Sequence, residues 1–440
     1  MRLARPTRSR SFGLLHIADE ARILAPDAPG AAGTHHTDRD GGETVGFSRE
    51  TLDRVLAQTV LVVPCKDEEL RVIRCVVAAI PAACVVILVS NCGRGGARDE
   101  YLQQVAMLQA VGGGRRQAMA IHQKDAAAAA AFQTCGMSAL LDPADGRIRS
   151  GKGEGMLLAV ALAAVFRPER RYIGFVDADN LHGAAVREYC RAFAAGFAMS
   201  AGAEHCMVRL RWGSKPKLRD GRYEPVAEGR CSRIVNAWLD RLLDPPAARA
   251  RGGEACDRPR LVTTGNAGEH ALTMALAVKL RLAAGYAVEP FHFVDVLERG
   301  HLAGLAAGPT AAPLQTAVHV VQIRTRSPHV HRPTDGEHIR RMWAAGLGSI
   351  YHCLGPYQAA AMPGTGAGGL TIADFRRDMH VFAAENGGLD GATGELPRPR
   401  VYPALEDADL GVFGDVLQAA WATGSLAAFG SGSNGALRGE

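Results

Sequence analysis

Several features that commonly announce a protein's role are missing from this sequence. Its ten cysteines, at 65, 75, 84, 92, 135, 190, 206, 231, 256 and 353, include no C-x-x-C pair. That excludes a paired-cysteine zinc site and a spaced disulfide framework, and it fits reduced thiols in a cytosolic core. Long apolar runs are lacking as well. The longest, Met156 to Phe166, is flanked by Glu154 and Arg167, and it falls short of the ~20 residues a membrane helix needs. The first twelve residues carry Arg2, Arg5, Arg8 and Arg10 and no acid, a faint transit-peptide pattern, but no secretory apolar segment follows. The expected location is the cytoplasm. Aromatic residues make up only 6% of the chain, and the net charge is a mild +5. Without a basic helix or interleaved aromatic and basic residues, nucleic acid is excluded as a partner, while a small anionic substrate fits.

What is present is ample material for a core. The chain has 440 residues, 47% of them apolar and 22% charged, enough for two or three domain-sized units or one enlarged α/β domain. The expected organisation is an amino-terminal segment with a flexible loop over 1–58, an α/β region over 59–200, a second region over 201–355 and a carboxyl-terminal region over 356–440. Residues 26–46 are rich in Gly, Pro and Asp and read as a surface loop, with the His35-His36 pair solvated inside it. Residues 244–260 and 300–315 read as exposed insertions, and the Gly-, Ser- and Ala-rich tail from Ser425 as disordered.

Short apolar runs alternate with helical stretches. Thr59–Pro64, Cys84–Ser90 and Met119–Asp125 read as buried parallel strands, each followed by a helix, which argues a doubly wound sheet. Open sheets of this kind bind ligands at the carboxyl ends of their strands. Lys66 and Glu68 sit there after the first strand, and Asn91 after the second. The next strand, Tyr172-Ile-Gly-Phe-Val, runs into Asp177-Ala-Asp179. Two carboxylates at a sheet rim suit a hard divalent cation, and such a cation can hold a diphosphate. Arg149-Ser-Gly-Lys-Gly-Glu-Gly155 lacks the Walker spacing, but its glycines, Lys152 and the helix that follows make an anion site.

Farther along, Cys206–Trp212 alternates and reads as a strand with one polar face. Arg209, Arg211, Lys215 and Lys217 form either a clamp for phosphate and carboxylate or a solvated edge. Thr263–His270 reads as a polar turn that opens a helix at about Gly268, and Glu289 stands at a later x-Pro turn. Ala317–Arg324 reads as a late strand, with His329 and His331 just beyond it. At i and i+2 in extended chain they face opposite sides, so one of them is expected to join Asp179 on a metal. Asp335 to Leu354 reads as helix.

Taken together, LVVPCKDEEL, VVILVSN, HQKD, RSGKGEGM, YIGFVDADN, MVRLRWGSKPK, TGNAGEHALTM, GYAVEPFHFVDVLE and VQIRTRSPHVH, in that order across residues 59–331, resemble the mannosyl-3-phosphoglycerate synthase family. The opening SFGLLHIAD is similar to that family's amino terminus, which weakens the transit-peptide reading. The resemblance implies a GT-A-type α/β fold: a Rossmann-like, mostly parallel sheet with helices on both faces, plus a smaller acceptor-side α/β region. It implies retaining transfer of mannose from GDP-mannose to D-3-phosphoglycerate with a divalent metal, Mg²⁺ or Mn²⁺. On this reading Pro64, Lys66, Glu68, Ser90, Asn91, Gln123, Lys124, Lys152, Gly153 and Asp177 face the donor. Asp177 and Asp179 are the catalytic carboxylates and hold the metal with His331 or His329. Arg209, Arg211, Lys215 and the turn Thr264, Gly265, Asn266 and Ala267 lie near the acceptor. Asp67 departs from the family's pattern, where Asn is expected, and the carboxyl-terminal region matches least. A homodimer stays open. The rival readings are a sugar nucleotidyltransferase, which would place its glycine- and lysine-rich loop after the first strand, and a non-catalytic nucleotide-sugar sensor.

Overall fold

In the computed structural model, residues 1–27, 35–37, 43–93, 99–113, 116–219, 222–245, 260–304, 311–331, 335–363, 369–422 and 428–429 are described. They build a mixed sheet of 13 strands. At its centre Ala118–His122, Val85–Ser90, Thr59–Cys65 and Tyr172–Phe175 lie side by side and parallel. His270–Thr273 comes next, antiparallel to Tyr172–Phe175 on one side and to His205–Arg211 on the other. Beyond it, His205–Arg211, Val318–Arg324 and Leu15–Ala25 are again parallel. All these strands except His270–Thr273 therefore end at one rim, and that strand starts there.

The pattern of burial explains why the central strands hold. Along Thr59–Cys65, Val60 and Val62 enter one core while Leu61 and Val63 enter the other. Helices cover both faces, as two-sided burial of a parallel strand requires. Lys152–Phe166 and Ala126–Thr134 pack on the first face, Leu70–Ala79 and Gly183–Met199 on the second. Each fully buried Val or Leu contributes roughly 1.5–3 kcal/mol, so this sandwich supplies a rigid floor for the rim. This is the α/β layout expected of a GT-A-type protein. Among the described residues no helix is long and apolar enough to cross a membrane.

Five expectations are revised. Thr263–His270 does not open a helix: the turn leads into the strand His270–Thr273, buried throughout and paired on both sides, with only the short helix Met274–Ala277 after it. Ladder pairing overrides the capping signal there. The strand His205–Arg211 has no polar face, because it lies inside the sheet and Arg209 is fully buried; the solvated-edge reading falls with it. The amino-terminal segment is no separate unit, since Leu15–Ala25 is an inner strand, and its alternating burial reflects a face turned to the core. Within the expected 26–46 loop, His35–Thr37 and Glu43–Gly46 pair as short strands. Within the tail expected to be disordered from Ser425, Ala428–Phe429 pairs antiparallel with Ala118–Met119. The rest of that tail, the side chains of His35, His36 and Lys217, and positions 246–259 and 305–310 of the expected insertions lie outside the described residues.

Candidate functional site

The Tyr172–Phe175 strand delivers Asp177 and Asp179 to the rim, and the two acids meet different neighbours. Lys152, the first residue of its helix, donates to Asp177 Oδ1 at 2.6 Å and to Glu289 Oε1 at 2.7 Å. Burial opposes the ammonium charge, yet the Asp177 and Glu289 carboxylates outweigh it and hold Lys152 well above the ordinary lysine value. Asp179 has no such partner. Its Oδ1 is buried without a hydrogen bond, and burial, followed by the Asp177 charge, pushes its carboxyl up to about 7. Glu269, fully buried at the start of the antiparallel strand, accepts from Trp212 Nε1 at 2.7 Å, while its Oε1 makes no hydrogen bond among the described residues and faces His329 Nδ1 at 3.8 Å. Burial and then Asp177 raise it well above the carboxylate range. Glu68 is raised too, chiefly by burial, and its carboxylate accepts from the Lys66 amide at 2.7 Å.

Both late histidines turn toward Asp179. His329 Nε2 lies 3.9 Å from Oδ1, and His331 Nδ1 lies 3.8 Å from Oδ2. The expectation of opposite facing fails because the strand ends at Arg324. Beyond it the chain curls: Arg326 and Ser327 amides donate to Glu188, the His329 amide to Ser214 O, and Val330 O accepts from the Leu181 amide. The His329 ring stacks on Trp212 with centroids 3.9 Å apart and planes within 9°. Burial, and next the Lys215 charge, hold its imidazole neutral. Among the described residues no three His, Cys, Asp or Glu side chains are drawn together as a finished metal cage. The donor set nevertheless fits a hard divalent cation: an unpaired carboxylate oxygen, carboxylates raised for want of positive charge, and a neutral imidazole facing them.

On the donor side the expected residues divide into rim and support. Lys66 is exposed, and Pro64, Asn91 and Lys124 are partly so; Lys124 pairs with Asp145 at 3.4 Å, and Asn91 Oδ1 accepts from Ser150 at 3.4 Å. Ser90 and Gln123 are buried. Ser90 bonds Cys92, and Gln123 Nε2 donates to the carbonyls of Arg149 and Gly151 at 2.6 and 3.0 Å, which fixes the glycine-rich approach to Lys152. Gly153 faces Ala283 O so closely that a Cβ would overlap it.

On the acceptor side Arg209 does not reach the surface. It donates to the carbonyls of Thr264, Gly265 and Glu289 at 2.8, 3.3 and 2.8 Å and lies 4.7 Å from the Phe293 ring centroid. Burial lowers it to about 9. It organises the turn from inside, which corrects its reading as a direct ligand. Arg211 is bound to Glu20 at 3.0 Å. Lys215 does face the site, 4.5 Å over Trp212. Thr264 Oγ1 and the Thr263 amide donate to Gln322 Oε1, and the Gly265 amide to Asn236 Oδ1 at 2.6 Å. A cleft lies between this turn and the start of the helix Arg230–Leu243, lined by Trp212, Gly229, Ser232, Thr264, Asn266 and Ala267. The helix has no side-chain cap, so its first amides, next to Gly229 and Ser232 of the cleft lining, are unsatisfied by side chains. Sequence reading missed Gly229 and Ser232; a glycine before a strongly amphipathic helix was the available signal.

Carboxylates raised for want of positive charge, beside Lys152 and Lys215 at the carboxyl rim of such a sheet, are the arrangement expected of a glycosyltransferase. Residues 5–417 match the family model described as mannosyl-3-phosphoglycerate synthase. The Pyrococcus furiosus mannosyl-3-phosphoglycerate synthase is 34% identical over 353 residues, covering 80% of this chain and 84% of that protein. The Aeropyrum pernix mannosyl-3-phosphoglycerate synthase is 32% identical over 356 residues, covering 80% and 85%. The chain belongs to the mannosyl-3-phosphoglycerate synthase family. Among solved structures, glucosyl-3-phosphoglycerate synthase of Mycobacterium tuberculosis with Mn²⁺, UDP-glucose and phosphoglyceric acid aligns at TM-score 0.45 and 18% identity, over 74% of this chain and 89% of that one. Family membership sets aside the nucleotidyltransferase and sensor readings.

Proposed function

We propose that this protein transfers mannose from GDP-mannose to D-3-phosphoglycerate with retention, in the cytoplasm, using a divalent metal. The observation that carries the reading is the unpaired Asp179 oxygen among raised carboxylates and neutral imidazole, set between Lys152 on one side and the Lys215 cleft on the other. Asp177, Asp179 and one or both of His329 and His331 would hold the cation. When bound, it supplies positive charge to the departing diphosphate, where charge develops as the sugar bond breaks.

The chain's own groups do the rest. Lys152 holds Asp177 and Glu289 in place by an ion pair to each, so neither carboxylate must reorganise as the sugar arrives. Trp212 orients Glu269 by its indole N–H and His329 by stacking. Lys215 and the uncapped amides at Gly229–Ser232 offer the acceptor's phosphate an anion site. Arg209 holds the Thr264–Ala267 turn against that site. The cleft's walls are protein groups with fixed dipoles, which favour a charged acceptor over a neutral one.

The relatives named above make, by their names, mannosyl-3-phosphoglycerate, in accord with this cleft. Comparing 3-phosphoglycerate with D-glycerate at equal concentration tests the reading. The phosphorylated acceptor should give kcat/KM higher by at least about 100-fold, the scale of one or two charge-assisted contacts. Equal efficiencies would contradict it.

A further inference from the structure

Within the carboxyl-terminal region, one short strand makes a contact that reaches the site. Val401–Tyr402 pairs antiparallel with Leu282–Ala283, and the Ala284 amide donates to Arg400 O at 2.8 Å. From this strand the fully buried Tyr402 hydroxyl donates to Glu154 Oε1 at 2.8 Å. The other oxygen of Glu154 accepts from the Gly285 amide at 3.0 Å. Glu154 lies two residues past Lys152 in the same first helical turn, and it is 2% exposed.

Two bonds thus bracket one short segment against one helical turn: Glu154 grips Gly285 at its start, and Lys152 grips Glu289 at its end. Gly285 has φ +58°, a backbone that side chains rarely adopt. At Gly151 and Gly153 a Cβ would overlap Glu154 and Ala283 O respectively. The close approach is therefore built into three glycines. A buried carboxylate needs both oxygens satisfied, and Tyr402 is the side chain that satisfies the second. Without it, Glu154 would be left half-paired, free to rotate off Gly285.

We propose that Tyr402 is a positioning residue for the donor side of the site: through Glu154 and Gly285 it fixes the segment that presents Glu289 to Lys152 and Asp177. The strand Val401–Tyr402 is then part of the sugar-nucleotide pocket's frame. This rests on the mannosyl-transfer reading for its kinetic consequence and stands apart from it for its structural one.

Tyr402→Phe removes one hydroxyl and keeps the ring, so the core stays filled, and Glu154→Gln serves as a second variant. Hydrogen exchange of the substrate-free protein reads the structural claim. Amides of 285–289 and 152–155 should exchange about five-fold faster in Tyr402→Phe, the scale of one lost hydrogen bond, with the rest of the sheet unchanged. Steady-state kinetics reads the consequence: KM for GDP-mannose should rise by a similar factor (~5-fold) while KM for 3-phosphoglycerate stays at the wild-type value. Combining the variants should add little to either alone, because they break one chain of contacts. Wild-type exchange in 285–289 overturns the proposal, as does an equal rise in both KM values with a general loss of stability, the pattern of a merely structural tyrosine. Faster exchange in Tyr402→Phe, together with a wild-type protein that makes no mannosylated product, would uphold the positioning and sink the transfer reading instead.

Discussion

At Asp179 the chain keeps a carboxylate that its surroundings disfavour. Ionisation there is opposed by burial and by Asp177, so the acid is held near 7 where an ordinary aspartate titrates at 3.8. A folded value above the unfolded one means that the charge costs stability once pH exceeds the unfolded value. With 39% of the side chain open to water, part of that cost is screened. Asp179→Asn should therefore raise the metal-free Tm at pH 8 by a small amount, about 1–3 °C, while cutting activity by more than about 100-fold. A lower Tm, or turnover near the wild-type rate, would contradict this. The two histidines separate by their settings. His329 is buried and stacked on Trp212, whereas 17% of the His331 side chain is exposed. In a metal titration of activity, His329→Ala should shift the half-saturating concentration upward by about 10–100-fold and also lower Tm. His331→Ala should shift it with little change in Tm. Overlay of both curves on wild type would remove the histidines from the site.

At the scale of elements, the antiparallel strand His270–Thr273 is the insertion that completes the rim, since its amino end brings Gly268 and Glu269 beside the carboxyl ends of its neighbours. Gly268 passes so near Asp177 that a Cβ would overlap Oδ2, with Lys152 Nζ 3.4 Å away. Gly268→Ala should thus displace Asp177 from Lys152 and reduce kcat by about 10²-fold, as a ~1 Å misplacement does, with circular dichroism unchanged; wild-type kcat would show that the turn has slack. How much could be read beforehand follows from the same elements. The parallel strands announced themselves as β-branched apolar runs, and Asp177 and Asp179 by their place after one of them. The turn at Gly268 did not, because cap residues before a helix and polar residues before a strand look alike until pairing partners far away in sequence decide. The histidine pair misled because alternation holds only in extended chain, and Glu188 bends this one. Arg209 looked like a surface ligand because nothing local reveals that Thr264, Gly265 and Glu289 converge on it as carbonyls.

For the molecule as a whole, the pH dependence of stability turns on a buried basic cluster that stays only singly charged in the fold. Arg209 sits beside His270 and His292, both fully enclosed. Burial first and the Arg209 charge second push His292 from 6.5 down to about 3 and His270 well below its usual value. A depressed histidine contributes stability that is intact above 6.5 and is lost as pH falls toward the folded value, because the unfolded chain then binds protons that the folded chain refuses. Unfolding free energy should fall by about 1.4 kcal/mol per pH unit for each histidine below 6.5. In His292→Gln the slope between pH 6 and 4.5, read by denaturant titration at those pH values, should lessen by one proton; identical slopes would mean that His292 is protonated in the fold. One measurement addresses the proposed reaction most directly. Purified protein is incubated with GDP-mannose, 3-phosphoglycerate and Mg²⁺, and the product is examined by mass spectrometry and by NMR of its anomeric carbon. A phosphorylated mannosylglycerate with the α configuration of the donor, absent when chelator is added, is the predicted result. Free mannose alone, a β-linked product, or full yield in chelator would contradict it.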